Sequence, residues 1–448
     1  VFGGRYTSRA LLAPASAARA AGIFPAMTTG TQHVLIVGGG VIGLCAAEAL
    51  SRRGARVTVV EASSIGAGAS SGNAGLLSLG HLPIPQPGVV GKAMKWMWRG
   101  DSPLYIQPRL DAALVGWLWR FRGACNAQTL EASMRTLGAL STMTVGMFEE
   151  LRDRCASAGV PGFYFDRLGY YEVYRTEAGL AHGREHAAIA ARHGFGHEVF
   201  DGAQMREREP ALAEGTVGAV WYPDSSQCNP MAFLRAVAAL AAAQGATILE
   251  GAPVASVDVE GGRAVGVTLG DGRELRADVV VMAAGPWSAE LLQPLGVKVP
   301  MQPAKGYHLD VPTTDPALRA AIVLGEANMA VTPMDGFVRL AGTLEFSGLN
   351  TAMRRNRLEM LLVGARKYLR GYDGSVERRS EWVGMRPCSP DGLPILGWTD
   401  RAPGLLVATG HGMLGMTQGP ATGRLVAEMV LDGAASSMDV GPMGLARF

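Results

Sequence analysis

The chain has 448 residues, 48% of them hydrophobic, and its 41 Lys and Arg nearly balance its 39 Asp and Glu. That length suits two or three domains around a sizeable core, while the absence of a basic field or a run of about 18 apolar residues gives no sign of nucleic-acid binding or a membrane span. Cys45, Cys125, Cys155, Cys228 and Cys388 are scattered without CxxC spacing, which argues against a disulfide framework, structural zinc and secretion, and no metal site is expected.

Residues 1–32 carry Arg5, Arg9 and Arg19 and no acidic residue. They read as a poorly ordered leader or as an extension upstream of a start at Met27; the extension is preferred because the first strand begins only six residues after Met27. From His33 to Glu61, HVLIVGGG, VIGLCAAEALSRRG and ARVTVVE predict strand, tight turn, helix and strand, a βαβ unit. A Gly/Ser/Ala loop, Gly66 to Gly75, follows, and Pro83, Pro85 and Pro87 then exclude regular helix and suggest a loop over a site. Lys92 to about Ala158 is mainly helical, and GYYEVYR, Gly169 to Arg175, reads as a strand opening a second domain.

Asn229 to Gln244 predicts an Ala-rich helix, followed by the strand ATILEG and a small meander punctuated by GG and DG turns through Leu275. DVVVMA, Asp278 to Ala283, is a buried strand returning the chain to the first sheet, whereas Met301 to Leu344 alternates like an antiparallel sheet. Leu405 to Ala408, a glycine loop and Thr417 to Leu431 close the pattern with strand, loop and helix. The expected fold is therefore α/β: a Rossmann-like nucleotide-binding domain (33–90, 229–296 and 385–435) interwoven with an antiparallel-sheet substrate domain (91–228 and 297–384), then a tail, 436–448.

Gly38, Gly40 and Gly43 have G-x-G-x-x-G spacing after a strand and at the start of a helix, where free amides and the helix dipole bind a pyrophosphate. Glu61 ends the next strand, 18 residues beyond Gly43, where a carboxylate can accept from a ribose diol. The same spacing recurs at Gly410, Gly412 and Gly415, but no strand or acidic residue follows in the required place. That loop suits the electron-rich pyrimidine edge of a flavin, with a close-packed turn as the alternative.

Taken together, VGGGVIG (Val37 to Gly43), SGNAGLLSLGH (Ser71 to His81), KAMKWMW (Lys92 to Trp98), KGYHL (Lys305 to Leu309), RLAGTLE (Arg339 to Glu345), GMRPCSPDGLPILG (Gly384 to Gly397) and GHGMLG (Gly410 to Gly415) occur in one order. In these motifs, from about His33 to about Leu431, the chain resembles the D-amino acid dehydrogenase small-subunit family, related to D-amino acid oxidase, glycine oxidase and sarcosine oxidase. The resemblance implies a D-amino acid oxidase-like two-domain fold and FAD. The cofactor would be held by Gly38, Gly40, Val41, Ile42, Gly43, Glu61 and Ala62, by Ser71, Gly72, Asn73, Ala74 and Gly75 near the ring, and by Val254, Ala284, Gly285, Gly412, Met413, Leu414 and Gly415. The cysteine that tethers flavin in sarcosine oxidases would fall near Gly384, so non-covalent FAD is expected. PATG after Gly419 departs from the smaller residues usual in the family, and His81 sits where relatives vary between His and Tyr.

Amino acid oxidation removes a hydride from the α-carbon to flavin N5, giving an imine that hydrolyses to a 2-oxo acid and ammonia, so positioning outweighs acid–base help. A buried α-carboxylate is best held by a guanidinium fork. Arg386, read as lying in a Pro/Gly-rich turn, is the first candidate and Arg339 the second, each with a structural ion pair as the competing reading. Tyr307 and His308 point to opposite faces of a strand, so only one is expected to line the pocket; Tyr307 matches the family motif. His411 is a candidate stabiliser of the reduced ring, and His81 a candidate substrate contact. The Trp and Met residues between Met94 and Trp119, with Lys92, Lys95, Arg99, Arg120 and Arg122, read as helix packing first and as a membrane-docking face second.

The expected activity is FAD-dependent oxidation of an amino acid C–N bond, with a D-amino acid as substrate and a quinone or another acceptor taking the electrons. D-hydroxyproline or proline dehydrogenation, and sarcosine- or glycine-type oxidation by oxygen, stay open, as does a flavin-carrying subunit inactive alone. The expected location is cytoplasmic, with peripheral contact at the inner face of the cytoplasmic membrane as the variant.

Overall fold

The computed structural model describes residues 31–97, 102–372 and 375–448. Residues 1–30 of the expected leader, and Trp98 and Arg99 of the basic aromatic stretch, lie outside the described residues.

His33–Val37, Val41–Arg52 and Arg56–Val60 form the βαβ unit, the two strands pairing in parallel from His33 against Arg56 to Val37 against Val60. Val34, Leu35 and Ile36 are wholly buried, because both faces of the sheet are covered, which is why the strand reads as an unbroken apolar run. The six-stranded sheet runs Thr247–Leu249, Arg56–Val60, His33–Val37, Val279–Met282, Leu405–Thr409 and Ile395–Trp398, and only the last of these pairs antiparallel. Helix Pro230–Ala243, capped by Asn229, contributes Phe233, Leu234 and Val237 to the core on one face. The meander Val254–Glu260, Arg263–Leu269 and Glu274–Arg276 has the expected antiparallel form.

Helix Gly415–Leu431 packs on Val41–Arg52 through small residues. A Cβ on Gly419 would stand 2.7 Å from Val41 Cγ2, and one on Gly423 2.5 Å from the backbone of Cys45. Pro420 sits inside this buried helix, so PATG is absorbed without ending it.

The larger sheet runs Ser380–Cys388, Gln302–Val311, Phe337–Phe346, Met329–Met334, Ala321–Leu324, Tyr170–Tyr174, Gly218–Tyr222 and Glu198–Asp201, and Leu104–Ile106 also pairs with Phe337–Phe346. Helix Arg355–Tyr368 covers one face with Leu358, Leu361, Leu362 and Ala365. The sequence expectation of a turn at Arg386 is corrected here: Arg386 lies within strand Ser380–Cys388, opposite Ala304, and this strand carries the second sheet past residue 385. Pro387 faces Pro303, and the strand ends the sheet's order, where a missing amide donor is tolerated. Among the described residues no helix is long and apolar enough to cross a membrane.

Candidate active site

A cavity of about 1630 Å³ is lined by residues of both sheets. Its nucleotide end is built by the first turn. Gly38 has φ 111°, in the left-handed region, and a Cβ there would lie 2.5 Å from the Ala283 carbonyl oxygen. A Cβ on Gly43 would fall on the Gly38 carbonyl, so Gly43 serves the close packing of turn on helix and does not itself line the cavity. Helix Val41–Arg52 has no side-chain cap at Gly40, leaving its N-terminus to face the cavity; the Val41 amide donates to Ser70 Oγ at 3.0 Å. Glu61 accepts from the amides of Gly39 (2.8 Å) and Ser63 (3.0 Å), one on each oxygen, and keeps acceptor capacity for a diol. Val41, Ile42, Ala62, Val254, Ala284 and Gly285 complete this end.

Along the Gly66–Gly75 loop, Gly72, Asn73 and Ala74 line the cavity, whereas Ser71 and Gly75 do not. Arg339 clamps this loop from behind. Its Nε and Nη2 donate to Asp310 at 2.8 and 2.9 Å, and Nη1 donates to the carbonyls of Ser71 and Asn73, both at 3.0 Å. The expectation that Arg339 would hold a substrate carboxylate is therefore corrected: its donors are committed, and it does not line the cavity. We predict that Arg339→Met, by leaving Asp310 buried and unpaired, costs about 3–5 kcal/mol and weakens flavin retention; thermal unfolding and flavin content of the purified variant measure both.

Tyr307 is corrected in the same way. Its hydroxyl donates to Glu345 Oε2 at 2.9 Å within a buried cluster that includes Arg357 and Lys305, away from the cavity. His308 does point to the opposite face, but it too stops short of the cavity. Its Nδ1 donates to the Gly72 carbonyl at 3.0 Å, and its ring stacks on Trp382 with centroids 5.2 Å apart. Trp382, which sequence reasoning missed, lines the cavity against Gly72 and Gly384, where any Cβ would enter the indole.

Arg386 lines the cavity. A Cβ on Gly306 would fall on its guanidinium, so that glycine provides the room in which the side chain lies across the sheet. Nη1 donates to the Thr343 carbonyl at 3.0 Å, and among the described residues no carboxylate pairs with it. Thr343 has φ 61°, a left-handed conformation unusual for a β-branched residue, at a point where this strand pairing is irregular. His411 is buried on the cavity wall, its Nε2 bonded to Thr422 Oγ1 at 2.9 Å and its Nδ1 without a partner. If the Thr422 hydroxyl donates to Nε2, the ring proton sits on Nδ1. Gly412, Met413, Leu414 and Gly415 border the same region, and His81 lines the cavity wall.

The glycine turn, the carboxylate at the end of the next strand, the uncapped helix and the unpartnered ring nitrogen of His411 fit FAD. A family model described as FAD dependent oxidoreductase matches residues 33–429. The chain belongs to the FAD dependent oxidoreductase family. Over 425 residues it is 35% identical to a D-amino acid dehydrogenase of Methylobacterium radiotolerans, covering 93% of this chain and all of that one. It is 36% identical over 411 residues to a D-amino acid dehydrogenase of Xylella fastidiosa, covering 89% and 92%. Among solved structures, glycine oxidase from Geobacillus kaustophilus superposes with a TM-score of 0.71 at 26% identity, covering 93% of this chain and 100% of that one. The cofactor of this FAD dependent oxidoreductase is FAD, and the two-domain fold is that expected.

Burial holds two histidines of this oxidoreductase neutral: His411 is pushed down to about 3, and His308, also beside Arg339, to about 4. Both folded values lie below the ordinary 6.5, so the unfolded chain binds the extra protons. Stability is full above pH 6.5 and falls below it, by about 1.4 kcal/mol per pH unit per histidine until the folded values are reached. Chemical denaturation at pH 7.5, 6 and 5 should show this decline, with a shallower slope in His308→Gln.

Proposed function

We propose that this flavoenzyme oxidises the C–N bond of an amino acid, a D-amino acid by preference, and passes the electrons to a quinone or another acceptor. The observation that carries this reading is Arg386: a partly buried guanidinium on the cavity wall that, among the described residues, pairs with no carboxylate. A partly desolvated cation without a counter-ion is stabilised by gaining one, and a substrate carboxylate offers the matching planar acceptor. Burial lowers the affinity of Arg386 for its proton, yet a guanidinium stays charged at any working pH. Bound FAD supplies the hydride acceptor. Arg386 anchors the carboxylate, and Ala330, Ala341, Trp382 and Leu414 add apolar lining to the same cavity. With its ring proton on Nδ1, His411 offers a donor to negative charge developing beside it.

The names of the relatives, D-amino acid dehydrogenase, support the stereochemical preference. The experiment is anaerobic flavin bleaching with D- and L-amino acids, cyclic imino acids and N-methyl amino acids, followed by reoxidation with a quinone, a dye or oxygen. Bleaching by D-amino acids and fast reoxidation by quinone are expected. Failure of every amine to bleach the flavin would remove the proposal.

A further inference from the structure

Tyr170, Glu172 and Tyr174 alternate on strand Tyr170–Tyr174, so all three side chains share one face, and all three line the cavity. Tyr170 and Tyr174 donate their hydroxyls to Glu172 Oε1 (3.3 Å) and Oε2 (2.9 Å), and Tyr222, stacked on Tyr170 with centroids 4.8 Å apart, donates as well. Space for this cluster is built in. A Cβ on Gly183, inside helix Glu177–Arg192, or on Gly325 would collide with the Tyr174 ring. Among the described residues no Lys, Arg or His forms an ion pair with Glu172. Three neutral hydroxyls orient the carboxyl group, and burial raises its proton affinity, so a cation held beside it is what would keep it ionised.

Glu172, Val323, Ala330 and Ala341 stand in register across four adjacent strands and line the cavity floor. Three interstrand steps put Glu172 roughly 14 Å from Ala341 between Cα atoms. Arg386 reaches toward the Ala341 end through its bond to the Thr343 carbonyl. The floor thus carries an unpaired cation at one end, an unpaired carboxylate at the other, and small apolar side chains between them. Side-chain reach from both ends leaves a span suited to a lysine- or arginine-length ligand and too long for alanine.

We propose that Glu172, oriented by Tyr170, Tyr174 and Tyr222, is the specificity-determining residue of the substrate pocket and selects amino acids whose side chain ends in a cation. This rests on the reading of Arg386 as the carboxylate anchor. The test on the FAD-loaded enzyme uses 6-aminohexanoate and hexanoate, which keep the carboxylate and chain but lack the α-amine and are not oxidised. By calorimetry, 6-aminohexanoate is expected to bind at least about 10-fold more tightly than hexanoate, one decade being about 1.4 kcal/mol, and Glu172→Gln should level the two. In parallel, the wild-type ratio of kcat/KM for D-lysine over D-norleucine should exceed about 10 and collapse in Glu172→Gln. If that variant does not retain flavin, Tyr174→Phe, which removes one orienting hydroxyl, should lower the same ratios. Equal or weaker binding of 6-aminohexanoate by the wild type overturns the proposal. If neutral D-amino acids bleach the flavin while D-lysine has no advantage, this inference falls and amino acid oxidation stands. If no amino acid bleaches it but 6-aminohexanoate still binds through Glu172, the oxidation reading falls and the charge-pole assignment holds.

Discussion

Arg386→Lys should retain the flavin spectrum and lose about 100- to 1000-fold in kcat/KM, equivalent to ~3–4 kcal/mol of transition-state binding. The reason is geometric. Lysine keeps the charge, but its ammonium is a compact point donor on a shorter reach, whereas the guanidinium spends Nη1 on the Thr343 carbonyl and still has N–H groups for a carboxylate. The lysine can reach both only from a single nitrogen, without the planar fork. A substrate carboxylate held by one bond in place of a fork pivots, and the C–H bond to be broken pivots with it. Stopped-flow flavin reduction separates the effects: saturation should occur at much higher substrate concentration, with a lower limiting rate. Unchanged reduction kinetics would move the anchor to another residue.

Gly38→Ala should yield a colourless protein. Two effects add. The residue sits at φ 111°, where a side chain is strained, and its Cβ would come within 2.5 Å of the carbonyl oxygen of Ala283, the residue just after the neighbouring strand, which is itself tied by its amide to the Val37 carbonyl. The turn must then open, and the helix N-terminus leaves its place beside the cofactor. A loss of FAD affinity of at least about 100-fold is expected, alongside ~1–3 kcal/mol of stability. Gly54→Ala is the control. It too has a positive φ, 86°, but no atom lies within 4 Å of its Cβ, so backbone strain alone remains and flavin binding should persist. Flavin content and fluorescence-monitored titration of the apoprotein compare the two.

The nucleotide end was readable from sequence because its requirements are local: strand, glycine spacing, helix and terminal Glu61 all lie within about thirty residues, the length of one βαβ unit. The substrate end was not, because it is assembled across strands. Arg339 and Arg386 look alike in sequence, and only strand register shows that Asp310 stands opposite one and the cleared space over Gly306 beside the other. The motif around Tyr307 points it at the pocket, yet a hydrogen bond to Glu345, distant in sequence, decides which way its hydroxyl serves. Trp382 gave no signal of its own; the glycines that seat it, Gly72 and Gly384, were visible only as loop and motif residues. The Tyr170–Glu172–Tyr174 face could have been found by applying the period of two to GYYEVYR, since a carboxylate between tyrosines on a largely buried strand needs an explanation.

The six-stranded sheet has a consequence for how the molecule comes into being. Its strands are drawn from His33 near one end of the described chain to Thr409 near the other, and the helix that packs on Val41–Arg52 is Gly415–Leu431. During synthesis the glycine turn and its neighbour Arg56–Val60 emerge early, but the strand on the other side, Val279–Met282, follows much later, and Leu405–Thr409 and helix Gly415–Leu431 later still. Cofactor capture is therefore a late, all-or-none event, and nascent chains halted before Leu405 should take up no flavin even though they already contain the entire pyrophosphate motif.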